Sequence, residues 1–338
     1  MLKPINTMKE VAKRAGVSVS TVSRVLANKD YIKANTRKKV EEAAKELNYR
    51  PNVMAKGLKL GRSNAIAIMI PSIDNLIFPE IVRGVEDVAR SKNYVVTLCN
   101  TDEDVDKEKV YMKKLSNMGV DGMVVATMRA DSHHITELYI DNFPVVLTSR
   151  HFDNTIDAII IDNYRAAYDA VKYLISRGYK NIAIALGNKE LPLYANRYAG
   201  YKDALLEANL TFNQEYVMEE INNTDSFYPL CTNLLKKHRE IDCIFATNDI
   251  RAITCMRAIK DLGLNIPSDI GVMGFDDIKI SALVEPPLTT TNQKLYEIGA
   301  KAARRLIEQI IYQKENGELL SPEIKILDTN LIIRKSTK

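Results

Sequence analysis

From residue 63 onward the chain alternates short apolar runs with amphipathic stretches, and this alternation narrows the fold to one class. Apolar runs stand at 65–70, 94–99, 123–126, 145–147, 159–161, 182–186, 243–246 and 271–275. Each is too short for a helix and ends in polar or turn-forming residues. Helical periodicity fills the gaps, for example over 79–91, 107–117, 165–176, 194–208 and 250–262. Strand–helix–strand repetition builds a parallel sheet wrapped by helices. The number of strands predicts two such sheets, as does a length of 338 residues, too long for one ordinary core. In open parallel sheets a ligand sits beyond the carboxyl ends of the strands.

Polar residues collect at those ends. Asp74 and Asn75, with the aromatic Phe78 after them, follow the first strand, Thr101 and Asp102 the second, Thr127 the third, and Thr148, Ser149 and Arg150 the next. In the second half come Arg197, Asn248, Asp249, Asp276 and Asp277. Such groups can hydrogen-bond hydroxyls in fork geometry. Any one of them can instead cap a helix, a role that suits Asp249 and Asp277. Arg197 and Asp276 are the stronger candidates for ligand contact.

Charge separates the first sixty residues from the rest. Residues 1–62 hold 15 Lys/Arg against 5 Asp/Glu, a net +10, whereas the remainder holds 32 against 38, a net −6. A basic cap on an acidic body is an electrostatic footprint for nucleic acid. No apolar run approaches the roughly 18 residues of a membrane span. The first residues lack the apolar core of a signal peptide. A cytoplasmic location is therefore expected, with no membrane partner. Cys99, Cys231, Cys243 and Cys255 form no C-x-x-C pair, each lies in an apolar run, and buried free thiols are expected. The four histidines show no metal-binding spacing, so no metal and no cofactor are expected.

The basic segment carries a motif. Thr7-Met8-Lys9-Glu10 is a capping box that opens a helix ending near Ala15. Gly16 supplies a turn that strains a residue with a Cβ. Ser18 caps a second helix over 19–27, with Val22, Val25 and Leu26 on its inner face and Val19, Ser20, Ser23 and Arg24 on its outer face. A third helix over 36–47 turns Val40, Ala43, Ala44 and Leu47 inward. Two short helices across a glycine turn, closed by a third, make a helix-turn-helix. The outer face of the second helix is short and polar, as a major-groove reader must be. Arg24 can donate two hydrogen bonds to a guanine edge, Val19 can touch a thymine methyl, and Ser20 and Ser23 can reach bases or phosphates.

Pro51 stops the third helix. Residues 52–60 are long enough for a short helix capped by Asn52, but it is too short to stand alone in water, and Gly57 weakens it further.

The run Met8-Lys9-Glu10-Val11-Ala12-Lys13-Arg14-Ala15-Gly16-Val17-Ser18, continued by Ser20-Thr21-Val22-Ser23-Arg24-Val25-Leu26, resembles the headpiece of the lactose/galactose repressor (LacI) family. So does Asn48-Tyr49-Arg50-Pro51-Asn52 followed by Ala55 and Leu58. The body resembles the family's sensor in Phe78-Pro79, Asp162-Asn163, Arg197-Tyr198-Ala199-Gly200-Tyr201, Ala246-Thr247-Asn248-Asp249, Gly274-Phe275-Asp276-Asp277 and Pro286-Pro287-Leu288-Thr289-Thr290. The resemblance covers essentially the whole chain.

It implies an N-terminal all-α helix-turn-helix headpiece (1–50), a hinge (51–62) and an α/β periplasmic-binding-protein-like sensor (63–338) of two doubly wound parallel-sheet lobes. Lobe one is expected at 63–162 and 294–322, lobe two at 163–293 and 323–338. By resemblance, hinge helices enter the minor groove, where Leu58 is the wedge and Asn52 and Ala55 approach the groove. Arg197, Asn248 and Asp276 match effector contacts, and Asp74, Phe78 and Arg150 complete the expected set. Leu295 matches a position where some members stack an aromatic ring on sugar. Ser149-Arg150 stands where many members have Asp-Arg, so one carboxylate is missing.

The function implied is a sequence-specific DNA-binding transcription regulator, a repressor acting as a homodimer on a near-palindromic operator and controlled by a small molecule, a sugar or sugar derivative. Among the family's alternatives is control by a phosphorylated carrier protein, as in catabolite control. The helix 296–309, with Arg304, resembles that docking region. An enzyme is not expected: the sequence holds no G-x-G-x-x-G, P-loop or G-x-S-x-G.

Overall fold

The computed structural model describes residues 7–26, 31–49, 63–127, 129, 132–151, 154–219 and 227–338. It divides into two compact units, Met1–Ser63 and Asn64–Lys338. The expected hinge helix over 52–60, with Asn52, Ala55 and Leu58, lies outside the described residues.

The headpiece is three helices, α1 (Met8–Ala15), α2 (Val19–Leu26) and α3 (Ala34–Glu46). The capping box forms: the Thr7 hydroxyl accepts from the Glu10 amide, and the Glu10 carboxylate accepts from the Thr7 amide at 2.6 Å. Gly16 ends α1 in the left-handed region at φ 66°, which admits glycine without strain. Ser18 Oγ then accepts from the Thr21 amide at 3.1 Å and opens α2. Val11, Val22, Val25 and Val40 are buried together and hold the three helices. Each buried valine contributes roughly 1.5–3 kcal/mol by removal from water.

The body has two sheets. Lobe one runs β2 (Val95–Asn100), β1 (Ala65–Ile70), β3 (Gly122–Val125), β4 (Val145–Thr148), β5 (Asp157–Ile161) and β11 (Ile324–Leu327) in spatial order, all parallel. Lobe two runs β7 (Val217–Glu219), β6 (Ile182–Leu186), β8 (Cys243–Ala246) and β9 (Gly271–Met273), also parallel. In each sheet the chain order reverses beside the first strand, which leaves a crevice at the carboxyl ends.

Both faces are covered, which is why the inner strands read as continuous apolar runs. In β1, Ile66, Ile68 and Ile70 face one core, with residues of α4 (Phe78–Ser91) and α11 (Leu295–Asn316). Ala67 and Met69 face another, with residues of α5 (Val105–Asn117) and α6 (His133–Ile140). In lobe two, Ile182, Ile184 and Leu186, with α7 (Asn163–Ser176) and α8 (Pro192–Glu207), belong to the same buried cluster as Ile66, Ile68 and Ile70, while Ala183 and Ala185 share another with α9 (Phe227–Lys237) and α10 (Asp249–Asp261). Cys231, Cys243 and Cys255 are buried free thiols, as expected. Cys99, on the edge strand β2, is only half-buried.

The chain crosses between lobes three times among the described residues. The first crossing is at Asp162, between β5 and α7, and the second at Gln293–Lys294, between β10 (Thr290–Asn292) and α11. The third corrects the sequence reading. Residues 323–327 were expected in lobe two, but β11 pairs in register with β5, Ile324 against Ala158 and Leu327 against Ile161. The crossing therefore falls after Leu327. Beyond it β12 (Asn330–Ile332) pairs antiparallel with β10, and Ser336 bonds both Val272 and Thr289.

Helices α4 and α11 meet at two glycines. A Cβ on Gly299 would stand 2.0 Å from the Ile81 carbonyl oxygen, and one on Gly84 would stand 2.2 Å from that of Tyr296. Backbone cannot yield as a flexible side chain can. We expect Gly299→Ala to destabilise the chain by about 1–3 kcal/mol in urea unfolding. A loss under about 0.5 kcal/mol, the range of a surface change, would show that the helices do not pack so closely.

Candidate functional site

Between the lobes lies a cleft of about 400 Å³. Lobe one lines it with Pro71, Ser72, Asn75, Asp102, Glu103 and Arg150, and lobe two with Asn188, Leu191, Tyr194, Asn248 and Arg251. Ser72, Asp102, Arg150, Asn188 and Asn248 each follow the carboxyl end of a parallel strand: β1, β2, β4, β6 and β8. The site is where the topology leaves backbone ends and polar side chains uncovered by helices.

The residues singled out from sequence separate into three groups. Arg150 and Asn248 line the cleft. Asn248 caps α10, its Oδ1 accepting from the Arg251 amide at 2.7 Å. Arg197 and Asp276 lie beneath the lining rather than in it, only 4% and 5% exposed. Arg197 Nε donates to Asn163 at 2.8 Å and Nη1 to the Thr247 carbonyl at 2.5 Å, while the guanidinium stacks 3.7 Å from the Phe275 ring centre. Asp276 stands 3.8 Å from Arg197 Nη1 and accepts from Gln293 Nε2. Asp74, Phe78 and Leu295 are not brought to the cleft. The 72–77 turn presents Ser72 and Asn75 and leaves Asp74 exposed, whereas Phe78 and Leu295 begin α4 and α11 and are buried in the core.

Three residues differ from the sequence reading. Asp249 is not a cap but a buried anchor: its carboxylate accepts from the Ile278 amide, Ser281 and Thr290. Asp277 likewise pairs with Arg334 at 2.7 Å. Glu103 was not singled out, yet it lines the cleft and holds Arg150 in a two-pronged pair at 2.7 and 2.5 Å. A carboxylate absent at position 149 is thus supplied from a different loop. Among the described residues no group of His, Cys, Asp and Glu is placed to hold a metal ion.

In the headpiece, Val19, Ser20 and Arg24 are exposed on one face of α2, with Ser23 half-buried at its border. Val22 and Val25 fix the opposite face in the core.

Residues 7–52 match the family described as bacterial regulatory proteins, lacI family. Residues 63–331 match that of periplasmic binding proteins and the sugar binding domain of the LacI family. The chain belongs to the LacI family. It is 40% identical to the HTH-type transcriptional regulator RegA of Clostridium acetobutylicum and 36% identical to catabolite control protein A of Priestia megaterium, over 98% of this chain and 99% of each relative. The structure resembles that of the lac repressor dimer bound to operator and an anti-inducer, with a TM-score of 0.85 and 27% identity, covering 98% of this chain and 99% of that one. LacI-family members are effector-controlled DNA-binding transcription regulators, and this chain has both of the family's parts.

Burial pushes the Asp276 carboxyl up to about 8; Arg197 opposes the rise and Asp249 adds to it. Burial also lowers the pKa of the Arg197 guanidinium. Near neutrality the folded chain therefore holds a proton on Asp276 that the unfolded chain releases near pH 4. Stability from this group is full below about pH 4 and is lost as pH rises to about 8, by up to about 1.4 kcal/mol per pH unit. Urea unfolding at pH 5 and pH 8 should show a smaller loss for Asp276→Asn than for the natural chain. Equal losses would mean that Asp276 is ionised in the fold.

Proposed function

We propose that this chain is a cytoplasmic repressor that binds a near-palindromic operator as a homodimer and is controlled by a small carbohydrate held between the lobes. The exposed face of α2 carries the DNA reading: Val19, Ser20 and Arg24 project from a helix whose other face is locked by Val22 and Val25, on a segment of net charge +10. Arg24 reads a guanine edge, Val19 a thymine methyl, and Ser20 and Ser23 a base or phosphate. Leu58 of the hinge wedges a minor-groove step open, with Asn52 and Ala55 against the groove. Self-association is supported by the dimeric lac repressor relative and by the apolar edge strand β2, where Val95 is 68% exposed.

The effector lies in the cleft against Arg150, Asn248 and the polar groups around them. Arg197 and Asp276 form the layer beneath, reached by a ligand when the lobes close. Asp74, Phe78 and Leu295, placed outside the lining in this structure, have no part in our reading of the contact surface. Closure about the crossing strands moves lobe one and resets the hinge pairing. The chain regulates rather than catalyses. A second reading, control by a phosphorylated carrier protein, is favoured by the 36% identity to catabolite control protein A and by Arg304, exposed on α11.

Selection of duplexes from a random pool with the full chain tests the DNA reading. The recovered motif should have two-fold symmetry, and Arg24→Ala should relax one position in each half by about 1–3 kcal/mol. A motif without symmetry contradicts the dimer; an unchanged motif reduces Arg24 to a phosphate contact.

A further inference from the structure

Glu103 and Arg150 reach each other from loops that are not neighbours. Glu103 follows β2 and Arg150 follows β4, with β1 and β3 between them in the sheet. Their ion pair therefore lies across the carboxyl end of lobe one, on the wall of the cleft. Both carboxylate oxygens are engaged, Oε2 by Nη1 at 2.7 Å and Oε1 by Nη2 at 2.5 Å. Arg150 is 8% exposed, and Nη1 also donates to the Thr127 carbonyl at 3.5 Å.

The loop is shaped to deliver this carboxylate. Asp102 and Glu103 are consecutive non-glycine residues in the left-handed region, at φ 55° and 59°. Such a pair persists only where its surroundings over-determine it. Here the Glu103 amide donates to the Pro71 carbonyl at 3.1 Å, and the Asp104 amide to that of Thr101 at 3.0 Å.

Resting on the reading that this cleft holds the effector, we propose that Glu103 is a specificity-determining residue that restricts the effector to uncharged polyols by occupying the anion-binding fork of Arg150. A guanidinium fork in a cleft is a natural seat for phosphate or carboxylate. With Glu103 in that seat, the pair is neutral. An incoming phosphate meets a filled fork and, beside it on the same wall, an Asp102 carboxylate already paired with Lys107 at 2.7 Å; the Arg251 guanidinium on the facing wall donates to the Tyr194 hydroxyl at 3.1 Å. A neutral diol meets no repulsion: one hydroxyl donates to a carboxylate lone pair, and its neighbour accepts from a remaining guanidinium N–H. Selectivity is thus built from a repulsive element as well as an attractive one.

The test uses inorganic phosphate as probe, so that it does not depend on knowing the effector. Phosphate is titrated into the full chain and into Glu103→Gln, with binding read by calorimetry and folding by thermal melting. The natural chain should bind no phosphate through Arg150. Glu103→Gln should bind it at least about tenfold more tightly, and Glu103→Gln combined with Arg150→Ala should lose that gain. Glu103→Ala, which removes both carboxylate oxygens from the fork, should gain at least as much. A natural chain that already binds phosphate through Arg150 overturns the proposal. So do folded Glu103 variants with no gain, and so does failure of both variants to fold, which would make Glu103 a purely structural residue. Failure of every neutral sugar to bind the natural chain would instead remove the carbohydrate reading of the cleft and leave the phosphate result standing.

Discussion

The body turns on a guanidinium buried where its two lobes cross. Arg197 bonds Asn163, just past the first crossing, and the Thr247 carbonyl at the end of β8, and it stands beside Asp276, which is held by Gln293 in the second crossing. A buried cation is costly unless paired and hydrogen-bonded. With a proton on Asp276, the cation is satisfied by the Asn163 and Thr247 oxygens and the face of the Phe275 ring, and these contacts fix the geometry of both crossings. Removing one partner would leave a charge stranded in a site that excludes water. The proton held on Asp276 and the depressed guanidinium pKa are two expressions of that burial. One consequence is that Arg197 has a structural task as large as any in recognition, so its role in a ligand contact must be separated from its role in the crossing.

Much of this was legible in the residues. Inner parallel strands read plainly because both of their faces are buried. The headpiece read plainly because its caps and its glycine are local: a capping box, a left-handed Gly16 and a valine core leave little choice. Strand β11 escaped because it lies at a sheet edge, with Lys325 and Ile326 exposed. Lys325 interrupts its short apolar run, and its partner β5 is far away in sequence. The same limit explains Glu103. Nothing in Thr101-Asp102-Glu103-Asp104 announces that two residues turn left-handed and send a carboxylate across β1 and β3. Asp249 was mistaken for a cap because helix caps are local and its true partners, from Ile278 to Thr290, are not. Phe78 and Leu295 stand beside the cleft in sequence, but each opens a helix whose first residue turns into the core.

Two lobes, each with its own sheet and helices, are joined by three crossing segments about which they can rotate. A ligand that bridges Arg150 on one wall and Asn248 on the other gains contacts only when the walls approach. Closure is then driven by the difference in ligand affinity between open and closed lobes, and a ligand without such a difference moves nothing. That difference is also the most that can reach the DNA.

The most direct measurement is the dissociation constant of the full chain for its selected duplex, with and without a neutral sugar that is seen to occupy the cleft. Coupling predicts a change of about 5–150-fold, in either direction, and an equal change in the sugar's affinity when the duplex is bound. A sugar that fills the cleft and leaves the duplex affinity untouched would contradict control of the headpiece by this site.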